Sequence, residues 1–426
     1  MLKRWSWLAV GVMIVAGAFA SGASAAKPVA KPVAKAAAPA PKPADDEASG
    51  EAGLDLSLRT KAAAMPVKAL DGSALTTAAS HMYLVDFDTG TVLAQKAADE
   101  KMYPSSMTKM MTLYIIFDGL KKGTLTLSSQ FTVSEKAWVM WNNKGSSMFL
   151  PINSQVSLED LIRGIAIDSG NDACYVAAEG IAGSEEAFAK QMNDATKTLG
   201  MTNTNFVNSS GWPSPDHTTT VHDLALLATA LIREFPEQYR YLSEREFTFH
   251  NIRQFNRNLL LGNTSLHVDG LKTGHTDAAG YGITLSAKEP VTNRRLVLVV
   301  NGLDSEADRA SEGERLLKWG FANFTDVLAF SSSKPVVADA KVWGGEAQQI
   351  ALGVASDIKL SLPKSGAAAL KAQVNYKSPL IAPVQKGANV GTLTLTYADG
   401  STKEFPLVAG ADVAKLSFFG RVARAL

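Results

Sequence analysis

A serine and a lysine three positions apart constrain this chain more than any other feature of its sequence. Ser106 and Lys109 lie in the run Pro-Ser-Ser-Met-Thr-Lys, which leads into an apolar stretch. Residues three apart share one face of a helix, so the two side chains can touch. A serine hydroxyl is a weak nucleophile until a base takes its proton. A lysine can be that base only when burial or a second cation lowers its pKa.

Two further motifs follow far downstream. Ser169, Gly170 and Asn171 form one of them, and Lys272, Thr273 and Gly274 form the other. The Ser/Asn pair can carry protons and hydrogen-bond a substrate amide. Lys272 adds a second positive charge, which favours a neutral Lys109 and an anionic substrate. Thr273 and Gly274 suit an edge strand that a peptide extends as an added strand, since glycine lets a ligand approach the backbone.

Composition excludes several classes of protein. The formal charge of the chain is +1. Loss of the first two dozen residues would remove Lys3 and Arg4, leaving 40 basic against 41 acidic side chains, or −1. This balance argues against binding of nucleic acid. Cys174 is the single cysteine, which excludes an internal disulfide and favours a small buried residue. The six histidines show no metal-ligand spacing, and we predict neither a metal nor a cofactor.

The first sixty residues predict export. Residues 1–26 have a charged start, an apolar core and an Ala-Ser-Ala cleavage site, the pattern of a signal peptide. A permanent transmembrane helix fits less well because the apolar run is short. Residues 27–60 are rich in Ala, Pro and Lys, with few large apolar groups, which predicts a disordered linker. Its lysines could also bind anionic wall polymers.

The remaining chain predicts an α+β domain over 61–330, a small β-rich domain over 334–410 and an amphipathic helix over 411–426. Strand-like runs flank Asp88-Thr89-Gly90 as a hairpin, and the helix carrying Ser106 stops near Lys121-Lys122-Gly123. Another helix is predicted to begin at Ser157, and a further helix is predicted over residues 217–233. Strands at 280–287 and 295–302 and a helix at 309–319 complete an antiparallel sheet with helices packed on it.

The motifs in this order resemble those of penicillin-binding proteins and serine β-lactamases. Longer segments resemble the D-alanyl-D-alanine carboxypeptidases, low-molecular-weight penicillin-binding proteins of bacterial cell walls. These segments are residues 83–95, 104–112, 145–151, 169–174, 247–260 and 272–281. The resemblance is dense from about 78 to 321 and implies a penicillin-binding/β-lactamase-like transpeptidase domain. The β-rich domain and the terminal helix resemble the family by their position in the chain and their residue pattern, and not by a motif.

The resemblance also implies roles for residues. Ser106 would be the acylated nucleophile and Lys109 its base, with Ser169 and Asn171 relaying protons and orienting substrate. The substrate groove would be lined by Lys272, Thr273, Gly274 and His275, and Arg309 would bind the terminal carboxylate. Oxyanion donors would be the N–H of Ser106 and one near His275. Ser105 stands where an alanine is common. His275 could instead hold its turn, and Arg309 could be a solvated helix-start residue.

The function implied is removal of the terminal D-alanine from peptidoglycan stem pentapeptides, with β-lactams as covalent inhibitors. A class A β-lactamase fits less well, because no Glu-x-x-Leu-Asn segment lies between Asn171 and Lys272. A DD-endopeptidase could use the same site, and a non-catalytic wall-binding scaffold would not need the intact serine and lysine. Trp138, Trp141 and Met148 could line a substrate cleft or pack in a core or lid.

The C-terminus predicts a membrane anchor. At about 100° per residue, Leu416, Phe418, Phe419, Val422 and Leu426 fall on one side of a helix. Arginines fall on the other side, as in helices that lie in a membrane interface. We therefore expect a periplasmic protein attached peripherally to the cytoplasmic membrane. The alternative is a helix docked on the β-rich domain.

Overall fold

The structure, a computed structural model, describes residues 53–59, 64–365, 370–417 and 420. The α-helices of these residues are α1 (Lys109–Lys121), α2 (Glu135–Trp141), α3 (Leu158–Arg163), α4 (Asn171–Ala182), α5 (Glu185–Leu199), α6 (Val221–Glu234) and α7 (Glu306–Asn323). Short 3₁₀ turns span Leu56–Leu58, Ser105–Thr108 and Gln238–Ser243, and a π-helical turn spans Gly164–Asp168. The predicted signal peptide lies outside the described residues.

Strands form two groups along the chain. The first group comprises β1 (Met65–Pro66), β2 (Lys68–Ala69), β3 (Thr76–Thr77), β4 (His81–Asp86), β5 (Val92–Lys96), β6 (Gln130–Thr132), β7 (Gln155–Ser157), β8 (Glu246–Phe249), β9 (Ile252–Phe255), β10 (Val268–Thr276), β11 (Gly280–Lys288) and β12 (Arg295–Leu303). The second group comprises β13 (Phe324–Phe330), β14 (Val337–Trp343), β15 (Gln349–Val354), β16 (Ile358–Pro363), β17 (Lys371–Tyr376), β18 (Leu380–Ile381), β19 (Asn389–Thr396) and β20 (Thr402–Ala409).

A six-stranded antiparallel sheet with the order β10-β11-β12-β4-β5-β2 forms the centre of the first domain. Side chains along β4 and β12 alternate between its two faces, as the twofold period of a strand requires. Tyr83, Val85 and Val297 pack into the core that contains α1, α3, α4 and α6. Met82 and Leu84 pack on the opposite side with α7. The α+β class is confirmed, and β10, the strand with Lys272, lies at the edge of the sheet.

Helix boundaries follow local capping. Ser157 caps α3 by accepting a hydrogen bond from the N–H of Asp160, as its position predicted. The helix predicted from 217 begins later, at Val221, because Thr220 is its N-cap and His217 lies in the preceding loop. The helix predicted at 309–319 is longer, since Ser305 caps α7 and the helix runs to Asn323.

The second domain begins earlier than the sequence predicted. Strand β13 pairs with β16 in antiparallel register, so the pairing of the β-rich domain includes residues from Phe324, a few residues before the boundary expected at 330–334. Its larger sheet has the order β17-β19-β20-β15-β14-β18. Buried Arg294 joins the domains, because its guanidinium contacts Asp86 at 2.8 Å and Asp326 at 2.9 Å. The β-rich domain is thereby fixed behind the face of the sheet that packs on α7.

At both ends of the described chain the structure differs from what the sequence predicts. Residues 53–59, predicted as disordered linker, pack on the first domain: the N–H of Asp55 donates to Tyr103 at 2.9 Å and Arg59 donates to the carbonyl of Asp277 at 2.7 Å. The earlier linker residues lie outside the described residues. At the other end, Val413 and Lys415 make β-bridges to the second domain, so the helix expected over 411–426 does not begin there.

Residues 418–419 and 421–426, which hold most of the expected amphipathic face, lie outside the described residues. Within the part of the chain that is described, no helix is long and apolar enough to cross a membrane.

Candidate active site

The serine and the lysine of the first motif are in contact. Ser106 lies on the 3₁₀ turn before α1, and Lys109 is the first residue of that helix. Side chains at i and i+3 eclipse in a 3₁₀ turn. The Lys109 Nζ is therefore 2.8 Å from the Ser106 Oγ, and Lys109 is fully buried. The predicted pairing is present, although a 3₁₀ turn rather than an α-helix produces it.

Two further acceptors surround the Lys109 amine. Its Nζ lies 2.8 Å from the Asn171 Oδ1 and 2.7 Å from the main-chain carbonyl of Ser210. The loop that presents this carbonyl is held by Asn208, whose Oδ1 accepts N–H donors from Gly211 and Trp212. Sequence reasoning missed Ser210 because a carbonyl is common to every residue and leaves no signal in the side-chain pattern.

The second motif lies where the π-helical turn meets α4. Ser169 adopts a left-handed conformation with φ of 59°, and Asn171 begins α4. The N–H of Asn171 donates to the carbonyl of Ser146 at 2.8 Å. Among the described residues, the buried Asn171 Nδ2 has no hydrogen-bond partner. The second motif thus places the side-chain N–H groups of Asn171 beside the Ser106–Lys109 pair, where a substrate could accept a hydrogen bond from them.

The third motif occupies edge strand β10. Buried Lys272 donates to the Ser169 Oγ at 3.0 Å and to the carbonyl of Thr273 at 3.2 Å. Burial, followed by the charge of Lys109, lowers the pKa of Lys272 well below its usual value. Lys272 therefore holds its proton less tightly than an exposed lysine, and its role as the cationic member of the two lysines stays a prediction. The site therefore contains two buried Ser–Lys pairs that face each other.

Gly274 is required for packing against the serine-bearing turn. A Cβ at this position would lie 2.8 Å from the carbonyl oxygen of Pro104 and 3.2 Å from the Ser105 Cβ. The sequence analysis explained this glycine by ligand approach. The contact with Pro104 gives a second reason, because the absence of a side chain lets β10 lie directly against the turn that carries Ser106.

Arginines form the far wall of the cleft. Arg309, which the sequence analysis placed here, lines the cleft, and its Nη2 donates to Glu306 at 2.8 Å and to the carbonyl of Arg257 at 3.2 Å. Burial, more than any other cause, lowers the pKa of Arg309. Arg257 also lines the cleft and was missed, although it lies in the 247–260 segment that resembled the family.

His275 and Thr273 complete the lining of the cleft. The His275 ring stacks on Tyr281 with the ring centroids 3.8 Å apart, and both rings face the cleft together with Ser146. Arg309 is buried, which does not fit the alternative of a solvated helix-start residue. His275 stacks on its cross-strand partner Tyr281, so a role in holding the turn stays an alternative for it. Tyr281 and Ser146 gave no motif signal of their own.

Residues set aside by the sequence analysis lie away from the reactive serine. The Ser105 Oγ donates to the Thr276 Oγ1 at 3.3 Å, on the side of the turn that faces β10. Cys174 is fully buried, and burial raises the pKa of its thiol to about 12. Met148 is likewise buried in the core. Among the described residues, no group of three or more His, Cys, Asp and Glu side chains could hold a metal ion.

A buried nucleophile–amine pair, a second Ser–Lys pair and the edge strand β10 define a serine enzyme of the acyl-transfer class. Residues 68–305 match the family model described as D-alanyl-D-alanine carboxypeptidase, and residues 324–415 match that of the C-terminal domain of penicillin-binding protein 5. The chain belongs to the D-alanyl-D-alanine carboxypeptidase family of penicillin-binding proteins, and it is a serine peptidase, as predicted. The second match begins at Phe324, where β13 begins.

Individual relatives agree with this assignment. The chain is 41% identical over 343 residues to D-alanyl-D-alanine carboxypeptidase DacC of Escherichia coli, covering 80% of this chain and 85% of the relative. It is 35% identical over 354 residues to DacF of Bacillus subtilis, covering 81% and 88%. The structure of penicillin-binding protein 5 from Haemophilus influenzae superposes with a TM-score of 0.71 at 35% identity, covering 79% of this chain and 98% of that one. The β-lactamase and scaffold alternatives are not favoured.

Proposed function

We propose that this enzyme removes the terminal D-alanine from peptidoglycan stem pentapeptides through an acyl-enzyme on Ser106. The observation that carries the proposal is the set of three partners around the Lys109 amine. The Asn171 Oδ1 and the Ser210 carbonyl can only accept hydrogen bonds, whereas the Ser106 hydroxyl can also donate one.

These partners can also accommodate a neutral Lys109. A neutral amine has two N–H donors and one lone pair, so its donors satisfy Asn171 and Ser210 and its lone pair faces the Ser106 proton. Full burial and the nearby Lys272 also disfavour the charged form. When the Ser106 Oγ attacks the carbonyl carbon of the penultimate residue, Lys109 takes the hydroxyl proton, which makes it a general base.

The second Ser–Lys pair serves the leaving group. The Ser169 hydroxyl is able to pass its proton to the departing amine of D-alanine as the C–N bond breaks, and Lys272, which donates to the Ser169 Oγ, replaces that proton. The uncommitted Asn171 Nδ2 donates to the substrate amide carbonyl and so orients the peptide along β10. The N–H groups of Ser106 and of the strand near His275 stabilise the tetrahedral oxyanion. Water then hydrolyses the acyl-enzyme and regenerates Ser106.

The cationic end of the cleft would bind the terminal carboxylate of the substrate peptide. Arg257, Arg309 and Lys272 converge there, and Glu306 is the one carboxylate among the described residues that line the cleft. A guanidinium matches a carboxylate in geometry as well as in charge. This arrangement supports a substrate with a free carboxylate on the residue that leaves.

The same chemistry accounts for inhibition by β-lactams. Attack of Ser106 on the lactam carbonyl breaks the ring C–N bond, but the nitrogen stays attached to the acyl group and cannot diffuse away. The covalent adduct therefore persists where the peptide product would leave.

One labelling experiment tests the nucleophile and its base. The mature chain, incubated with a pentapeptide and separately with a fluorescent penicillin, should release D-alanine and carry the label on Ser106. The variant Lys109→Arg should lose acylation, since a guanidinium is not a base at neutral pH. Lys122→Arg, at an exposed site, is the matched control and should acylate normally. An adduct on Ser105 or Ser169, or normal acylation of Lys109→Arg, would contradict these assignments.

We further propose that the chain is exported to the periplasm and attaches to the cytoplasmic membrane through residues 418–426. The apolar leader and the aromatic, aliphatic and basic residues close to the C-terminus support this location. The bridges of Val413 and Lys415 fix the preceding segment to the second domain, so the anchor would begin beyond Ser417.

A truncation after Ser417 tests the anchor without removing Val413, which is buried in the second domain. The truncated protein should leave the membrane fraction and stop binding anionic vesicles, while penicillin acylation stays unchanged. The intact mature chain is the control. If that intact chain ignores anionic vesicles, the anchor proposal is wrong.

A further inference from the structure

A second concave site lies beside the catalytic cleft, on the other side of the loop at residues 145–151. Ser146 lines the cleft, and the next residue, Ser147, lines this second pocket. We call it the aromatic pocket; its characteristic walls are Trp138, Trp141, Asn142, Asn143 and Phe149. Nothing in the catalytic steps above uses these residues.

Two structural connections tie the aromatic pocket to the reactive serine. The Trp141 ring meets Trp212 edge-on with the centroids 5.1 Å apart. Trp212 follows Ser210, whose carbonyl contacts Lys109, by two positions. On the other side, Asn171 holds Ser146 through a backbone hydrogen bond. The pocket is therefore fixed relative to the site of acylation.

The aromatic pocket has little charge of its own that a ligand could use. Its one carboxylate among the described lining residues, Asp172, is committed to the loop: it accepts from the Ser147 hydroxyl at 2.7 Å and from the N–H groups of Met148 and Leu150 at 2.9 and 3.1 Å. What remains for a ligand is aromatic surface and the side-chain amides of Asn142 and Asn143.

An uncommitted donor also borders the aromatic pocket. Trp141 is 6% exposed, and its indole N–H has no hydrogen-bond partner among the described residues. A buried donor left unpaired costs about 1–3 kcal/mol. Phe149, by contrast, is 51% exposed, which is high for a phenylalanine beside a cleft. Both features are typical of a surface that a ligand covers.

We propose that the aromatic pocket binds an N-acetylated amino sugar of the peptidoglycan strand that bears the stem peptide. A sugar ring offers an apolar face for stacking on aromatic side chains and hydroxyls at its edge, and its acetamido group pairs with asparagine amides. An anionic side chain would lose hydration in this pocket without gaining a counter-charge, and a cationic one would have to compete with the donors that already occupy Asp172. This inference rests on the proposed function, and it adds the glycan to the substrate that the enzyme recognises.

The test compares two substrates that share one pentapeptide, one free and the other joined to its N-acetylmuramyl–N-acetylglucosaminyl disaccharide. We expect the wild-type kcat/KM for D-alanine release to be higher for the glycosylated substrate. Trp138→Ala and Asn142→Ala should each remove roughly threefold to tenfold of that preference, mainly through KM. Both variants should process the free pentapeptide and a small penicillin at wild-type rates.

Trp343→Ala is the matched control, since Trp343 is an exposed tryptophan of the second domain and should leave the preference intact. The inference is overturned if the wild-type enzyme handles both substrates equally, or if the variants lower both activities alike. Loss of the free-pentapeptide reaction in the wild-type enzyme would instead contradict the proposed function. Asn142→Ala changes an exposed side chain, so its result does not depend on the folding of Trp138→Ala.

Discussion

Replacement of Gly274 by alanine tests whether the serine-bearing turn must pack directly against β10. The added Cβ would meet the Pro104 carbonyl oxygen at 2.8 Å, and ordinary van der Waals contact begins near 3.4 Å. The two backbones must therefore separate by about 0.6 Å. Neither partner is the end of a flexible side chain, so local rotation of a side chain cannot absorb the change.

The size of the effect follows from that displacement. A misplacement of about 1 Å can cost about a hundredfold in rate, so about 0.6 Å should cost roughly ten- to thirtyfold. Overpacking of a tight site also destabilises the fold by about 1–3 kcal/mol. We therefore expect Gly274→Ala to acylate ten- to thirtyfold more slowly and to unfold at a lower temperature than the wild-type enzyme.

The assay is the rate of acylation by a fluorescent penicillin, measured beside thermal unfolding without ligand. Gly353→Ala is the control: its nearest atom would lie 3.7 Å from the new Cβ, in the second domain. A Gly274→Ala enzyme that unfolds like the wild type but acylates slowly would refute the packing argument and favour ligand approach as the reason for the glycine. Wild-type behaviour in both measurements would refute both explanations.

Two further substitutions probe buried ionisable groups, Arg309 in the cleft and Asp168 in the π-helical turn. Arg309→Ala should lower kcat/KM for peptides with a free C-terminal carboxylate far more than for amidated ones, whereas Arg315→Ala, at a more exposed site on the same helix, should affect neither; equal losses on both peptides would make Arg309 structural. Burial raises the pKa of Asp168 to about 8. The folded state therefore keeps a proton that the unfolded state loses near pH 4. As a result, the contribution of Asp168 to stability falls as the pH rises between these two values. Asp168→Asn stays neutral, so its unfolding temperature should gain on the wild type from pH 4 to 8, and a constant difference across this range would contradict the argument.

Local spacing predicted those parts of the site in which partners are close in sequence. The Ser106–Lys109 contact follows from an i, i+3 relation, and Ser157 caps α3 through a local hydrogen bond. The hairpin at Asp88–Gly90 likewise joins β4 and β5, which pair directly. In each case the interacting residues are only a few positions apart, so the sequence spacing alone predicts the contact.

The parts that sequence reasoning missed depend on distant partners. Arg257 reaches the cleft because the segment after β9 runs beside α7, and Ser210 contributes only a carbonyl. The expected start of the second domain falls after β13 because β13 is identified by its partner β16, which lies some thirty residues later. Residues 53–59 lack a strong apolar pattern, and their order comes from contacts with Tyr103 and Asp277.

Backbone conformation explains why the reactive serine is directed at its base. Ser105 has a φ of 47° and Ser169 a φ of 59°, both in the left-handed region that costs a residue other than glycine about 1–3 kcal/mol. Such conformations persist only where the surrounding structure holds them. Ser105 is held by its bond to Thr276, and a Cβ on Gly211 would lie 1.8 Å from the Ser105 carbonyl oxygen, so the loop after Ser210 closes on the same turn. The positions of Ser106, Ser169 and the Ser210 carbonyl are therefore set by mutual packing before substrate arrives, and Lys109 lies between them with little freedom to move.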